Sequence, residues 1–249
     1  MEPFLATLAF VPGLAVGSFL GVVASRVPLG RSIVRPGSAC MRCGATVAWY
    51  DNVPLLSFLL LGGRCRRCRA RIPWGDPAIE LAAALLVTGC VVSFGFTGKA
   101  AAGALFCAAL VVVTATDLEH RIVPNRVVLP AAAAVLALRT VVSPSPEWAL
   151  AAAGASGALL LVALAYPGGL GMGDVKLALL IGAMLGRTAP LALMLGTLLA
   201  LVPSAVLIAR HGTAARKLAI PFAPFLALGS VIALFAGGRL LDAYLGAFT

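Results

Sequence analysis

The chain has 249 residues, of which 61% are hydrophobic and 11% charged, with a mean hydropathy of +1.04. Soluble domains carry about 25% charged residues, so this composition excludes a soluble globular protein and indicates an all-α integral membrane protein. The net charge of +10 does not indicate a nucleic-acid partner, because its basic residues flank apolar runs rather than forming a soluble basic face. The partner they fit is the lipid bilayer. Ala, Val, Leu and Gly fill the apolar runs without alternating polar positions, which favours helices over the strands of a membrane barrel. This length accommodates about eight transmembrane helices of roughly 20 residues each.

In chain order, the first span is expected over 4–24. Glu2 precedes it, with no Lys or Arg to make the basic region of a signal peptide, so it reads as a retained helix. A polar stretch over 26–77 carries four of the six cysteines. The next spans are expected over 78–96, 100–116, 127–142 and 148–165. Pro167-Gly168-Gly169 then leads into Gly171-Met172-Gly173-Asp174. A short span over 175–185 follows, then 191–209 and 222–235. No internal repeat stands out.

With the 26–77 loop in the cytoplasm, the cytoplasmic connections hold the nine arginines of that loop together with Arg121, Arg126, Lys176, Arg210, Arg216 and Lys217. Lys99, Arg139, Arg187 and Arg239 fall on the other side. That bias obeys the positive-inside rule and puts Asp117 and Asp174 at the same, cytoplasmic, face. The arginines of the loop suit anionic lipid headgroups.

Cys40 and Cys43 form one C-x-x-C pair and Cys65 and Cys68 another, with 21 residues between them. The spacing suits a four-cysteine zinc site, and a reducing cytoplasm favours metal over disulfides. Two redox or disulfide pairs are the other reading. Cys90 and Cys107 lie inside apolar spans and read as small buried hydrophobes.

Asp117 and Asp174 are acids at membrane depth, which marks them as functional candidates. Two carboxylates held together share one proton and can do acid–base work on a carbonyl and a water. The competing reading makes Asp174 the cap of its own helix and Asp117 an interfacial loop acid. Glu119, His120 and Arg121 read as solvated loop residues. Lys176 either snorkels to the surface or tunes an aspartate, and Glu80 is a weaker candidate for a polar contact within the bundle.

Several motifs now coincide. Gly171-Met172-Gly173-Asp174 resembles the G-x-G-D signature of intramembrane aspartyl proteases. The 116–125 segment, Thr116-Asp117-Leu118-Glu119-His120 through Pro124-Asn125, is similar to the first-aspartate motif of the type IV prepilin peptidases. Gly17-Ser18-Phe19-Leu20-Gly21 resembles their N-terminal signature, with Gly21 where that family usually has Asn. The paired cysteines flank Asn52-Val53-Pro54-Leu55, and Ile220-Pro221-Phe222-Ala223-Pro224 resembles the C-terminal motif.

The resemblance implies three parts: a first transmembrane helix (1–25), a cytoplasmic zinc-binding loop (26–77) and a transmembrane aspartyl peptidase domain (78–249). It implies Asp117 and Asp174 as catalytic acids, and Cys40, Cys43, Cys65 and Cys68 as ligands of a structural zinc. It implies removal of the leader from type IV prepilins or pseudopilins at the cytoplasmic face of a bacterial inner membrane. It further implies N-methylation of the new terminus with S-adenosylmethionine as cofactor; no G-x-G-x-x-G fingerprint for that cofactor stands in the sequence. A proton-coupled transporter and a membrane scaffold built on the zinc loop are the alternative functions the residues leave open.

Overall fold

The computed structural model describes residues 2–167, 169–212 and 220–246. Gly168, Arg216 and Lys217, weighed above, lie outside the described residues. Among those described, the regular structure is helical, apart from two isolated antiparallel bridges that pair Ala39 with Thr46 and Arg64 with Arg71. Among the described residues, seven stretches are long and apolar enough to cross a membrane. The sixth, Met172–Arg210, is itself two helices joined by a tight turn, so the eight expected spans are all present as helices in a multi-pass membrane protein. The chain divides into two compact units, 1–100 and 101–249.

In the first unit, α1 (Glu2–Arg26) packs on a long helix over Gly75–Phe94. A side chain at Gly17 would begin 2.6 Å from the Glu80 Cα, and one at Gly13 2.8 Å from the Ala84 Cα. Between membrane helices there is no hydrophobic drive to associate, so such close backbone approach supplies the packing. Beyond α1, the Arg26 guanidinium donates to the carbonyls of Ser32 (3.1 Å), Pro36 (2.7 Å) and Gly37 (3.4 Å), folding the chain back on the helix end. The rest of the loop holds a 3-10 turn, Trp49–Asn52, and a short helix, α2 (Leu56–Leu60), before α3 (Gly75–Phe94).

α4 (Gly98–His120) crosses the division between units. The second unit continues with α5 (Asn125–Val142), α6 (Glu147–Ala165), α7 (Met172–Leu185), a 3-10 turn at Gly186–Thr188, α8 (Ala189–His211) and α9 (Ala223–Gly246). α7 touches α5, α6, α8 and α9. Its residues from Leu177 on are almost all buried, as expected of a helix apolar on every face. At Gly182 the backbone of α6 comes so close that an added Cβ would run into the Ala151 carbonyl.

Two helices differ from expectation. α4 runs on past the apolar stretch, so Asp117, Leu118 and Glu119 are helical rather than in a loop. α9 continues to Gly246 instead of stopping near residue 235. The Gly237-Gly238 pair looks like a helix stop, but Gly237 is buried at the Thr188 side chain, where an added Cβ would sit 3.2 Å away. Packing there outweighs the weak helix propensity of glycine.

One end of the second unit is fastened by the Trp148 indole, which donates to the Ser143 carbonyl at 2.8 Å. The Arg139 guanidinium stacks 3.8 Å from the centre of that ring, and the Glu147 carboxylate accepts the Arg187 amide at 2.8 Å. The acids lie at the other end, where α4 finishes and α7 and α9 begin.

Candidate active site and metal centre

Asp117 sits in the last turn of α4 and is only 7% exposed. Its Oδ2 accepts the backbone N–H of Ala223, the first residue of α9, at 3.1 Å. A helix N-terminus leaves such N–H groups without intrahelical partners, so the carboxylate is anchored by a group 106 residues away. The capping idea therefore applies in a different form: Asp117 completes the start of α9.

Asp174 is half-buried and is the third residue of α7. Gly171 occupies the cap position with no side-chain capping bond, so Asp174 is not the cap of its helix. Its N–H donates to the Gly171 carbonyl at 3.0 Å, and a Cβ at Gly171 would lie 3.4 Å from the Asp174 Oδ2. The missing side chain leaves that oxygen approachable. The Asp117 and Asp174 carboxylates lie near enough for the charge of one to act on the other.

Two contacts hold the α7 start against the turn between α4 and α5. Gly173 faces Val123, whose Cβ would be 2.7 Å from a Cβ placed on the glycine. The Lys176 ammonium donates to the Asn125 Oδ1 at 2.9 Å. Lys176 thus ties α7 to α5. Glu119 and His120 close the end of α4, with Glu119 exposed and its Oε2 3.9 Å from the His120 Nε2. Neither the Ala223 anchor nor the Lys176–Asn125 tie leaves a signal in local sequence, since each joins distant segments.

Cys40, Cys43, Cys65 and Cys68 converge in the loop of the first unit. Their sulfurs all lie within 4.8 Å of one another, with Cys40 and Cys68 at 3.7 Å, and none is in a disulfide. The two halves have the same shape. Cys40 and Cys65 each donate an N–H to a carbonyl five residues on, Ala45 at 2.9 Å and Ala70 at 2.8 Å. Gly44 and Arg69, each four residues after its cysteine, both have positive φ, +67° and +57°.

Backbone amides of Cys43 and Arg42 pull the Cys40 thiol down to about 6. At Cys68 the Ala70 amide favours the thiolate, but burial and the neighbouring cysteines outweigh it and push the thiol up to about 11. Four such groups could hold a metal ion. Cys90 and Cys107 are buried in α3 and α4, as expected. Glu80 bonds within the helix pair, to the Ser18 side chain of α1, and also reaches the loop, where its carboxylate accepts the Leu55 amide at 2.8 Å. Leu55 there has φ of +57°, an uncommon conformation for a non-glycine residue.

Comparison with known proteins matches residues 11–94 to the bacterial peptidase A24 N-terminal domain and residues 104–209 to the type IV leader peptidase family. Three similar proteins each carry the name prepilin leader peptidase/N-methyltransferase. That of Bacillus subtilis is 31% identical over 97% of this chain and 98% of its own length. That of Pseudomonas aeruginosa is 34% identical, over 94% and 91%. That of Myxococcus xanthus is 39% identical over 78% of this chain, which spans only 60% of that longer relative. No solved structure matches the chain. These matches cover both units, and the chain belongs to the type IV leader peptidase family.

Proposed function

We propose that this chain is a membrane aspartyl endopeptidase that removes the leader from type IV prepilins or pseudopilins, with Asp117 and Asp174 as its catalytic acids. The observation that carries this reading is the convergence of the two carboxylates from α4 and α7 at one end of a helical bundle. Two nearby carboxyls are most readily accommodated with one proton between them. The ionised member takes a proton from water, whose oxygen attacks the scissile carbonyl carbon. The protonated member gives its proton to the carbonyl oxygen. As the tetrahedral diol collapses, the now-ionised carboxylate takes back a hydroxyl proton, and the other carboxyl gives the leaving nitrogen the proton it had taken from water as the C–N bond breaks. The pair titrates as a unit, so neither role belongs to one residue alone.

A prepilin offers a long apolar N-terminal helix that can lie in the bilayer beside the spans, bringing its cleavage point to the membrane edge. The charge bias supports a cytoplasmic position for that edge, in the inner membrane of a bacterium. The 26–77 loop serves as a separate metal-binding part, between a first membrane helix (1–25) and the peptidase part (78–249). Zinc is the metal that fits: tetrahedral bonds of about 2.3 Å put sulfurs about 3.8 Å apart, close to the 3.7 Å between Cys40 and Cys68. Four thiolates close the coordination sphere, so zinc would act as a structural staple of the loop.

The names of the relatives support N-methylation of the new terminus with S-adenosylmethionine as a second activity. Two apolar grooves among the described residues do not suit that cofactor. One is lined by Thr7, Leu8, Val11 and Pro12, and the other by apolar residues of α8 and α9 such as Leu199, Val206 and Leu228. Neither offers an acid for the amino group or a polar edge for adenine, so no residue is assigned to it. Gly21, the departure in the N-terminal motif, faces open space.

Asp117→Asn and Asp174→Asn test the peptidase reading separately. Each is expected to abolish leader cleavage of a prepilin in proteoliposomes without unfolding the protein. Full cleavage by either variant overturns the two-acid mechanism.

A further inference from the structure

We propose that the cysteine loop lies down on the membrane, with α2 inserted among the headgroups of an anionic leaflet, instead of standing free in water. Depth is the first observation. Trp74 is 77% exposed and caps the start of α3, the place where membrane helices carry the aromatic residues that sit at headgroup level. Glu80 lies six residues further along, about 9 Å deeper at 1.5 Å per residue. Its carboxylate holds the amide of Leu55, which immediately precedes α2. Phe58 of α2 packs edge-on against Trp74 with ring centres 5.0 Å apart. Both contacts pin α2 beside the first turns of a membrane span.

Chemistry is the second. α2 is Leu-Ser-Phe-Leu-Leu, and its Leu56, Leu59 and Leu60 are 53%, 72% and 77% exposed. At a depth of roughly 5–10 Å such a face meets the boundary between headgroups and acyl chains. An apolar surface of this kind is favourable there and unfavourable in water.

Charge is the third. The loop has nine arginines, no lysine, and only Asp51 and Asp76 as acids. Arg26 is used on backbone carbonyls and Arg66 on Asp51, at 2.6 Å. The other seven guanidiniums are exposed and have no hydrogen-bond or ion-pair partner among the described residues. Arg64 and Arg71 face each other across a bridge just beyond α2, where Ile72 donates to the Gly63 carbonyl at 2.8 Å. Guanidinium is the side chain best shaped to bind phosphate in bidentate fashion. The occupant that satisfies an apolar face and a rim of unpaired arginines together is an anionic phospholipid leaflet.

The test uses full-length protein with Trp49, Trp74 and Trp148 each changed to Phe, which removes the chain's three tryptophans. Leu59→Trp and Leu60→Trp are then made separately as reporters. Both are reconstituted into vesicles of phosphatidylglycerol or of phosphatidylcholine containing lipids brominated at shallow or deep acyl positions. The expected result is strong quenching by shallow bromines and protection from aqueous iodide. That quenching should be at least twofold stronger in the anionic vesicles and lose its preference on adding Arg64→Gln and Arg71→Gln. Iodide quenching without bromolipid quenching would show the loop in water and overturn the proposal. Protection from both quenchers would place α2 against a protein surface, a second copy included, and overturn it equally. Equal quenching in the two lipids would remove the anionic leaflet as the partner.

Discussion

Gly173→Ala is the smallest change expected to disable the site. The new Cβ would stand 2.7 Å from the Val123 Cβ, whereas carbon atoms in comfortable contact are about 3.5–4.0 Å apart. The clash falls on a Cβ, so no rotation of the valine relieves it. The start of α7 must then move by about 1 Å, and Asp174 is the next residue. A displacement of ~1 Å in a catalytic group costs on the order of 100-fold in rate, or about 2.7 kcal/mol of barrier. Initial rates of leader cleavage, measured against prepilin concentration in proteoliposomes, should show that loss chiefly in kcat with KM little changed. Adding Val123→Gly removes the obstructing carbon, and the double variant should recover much of the activity. Wild-type kcat in Gly173→Ala would refute the reasoning, as would a folded double variant no better than the single one.

Three further outcomes follow from other contacts. Lys176→Met or Asn125→Ala removes the 2.9 Å bond between α7 and α5; kcat should fall about tenfold, in keeping with roughly 1.5 kcal/mol for a hydrogen bond to a charged group, and Lys176→Arg should keep most of it. Metal analysis of the purified protein should find about one zinc per chain, lost in Cys40→Ser. Absence of metal together with disulfide-paired thiols in the native protein would instead favour the redox reading. Gly182→Ala forces a methyl into the Ala151 backbone and should destabilise the bundle by about 1–3 kcal/mol, seen as a lower unfolding temperature in detergent.

The spans were legible because hydropathy is a local property, read residue by residue, and the eight helices fall where the apolar runs lie. Charge counting alone puts Asp117 and Asp174 at one face, and the bundle has them at one end. The cysteine cluster was legible for a similar reason: two short pairs at a suitable spacing need only one turn of the loop to meet. What remained hidden depends on pairs of distant segments. The Ala223 amide that holds Asp117 is a backbone group, and no side-chain pattern reports it. The length of α9 depends on Thr188 meeting Gly237, and the tie between Lys176 and Asn125 depends on the closeness of α5 and α7. The depth of α2 rests on Glu80 reaching a loop amide, which periodicity cannot show.

The account depends most on two aspartates acting as one chemical unit. Its most direct measurement is residual leader cleavage by Asp117→Asn, Asp174→Asn and the double variant, assayed side by side with product masses. Residues that work together are grossly non-additive, so the double variant should be no slower than either single one, all three resting at the uncatalysed background. Losses that multiply, or a single variant that still cleaves at the wild-type rate, would contradict it.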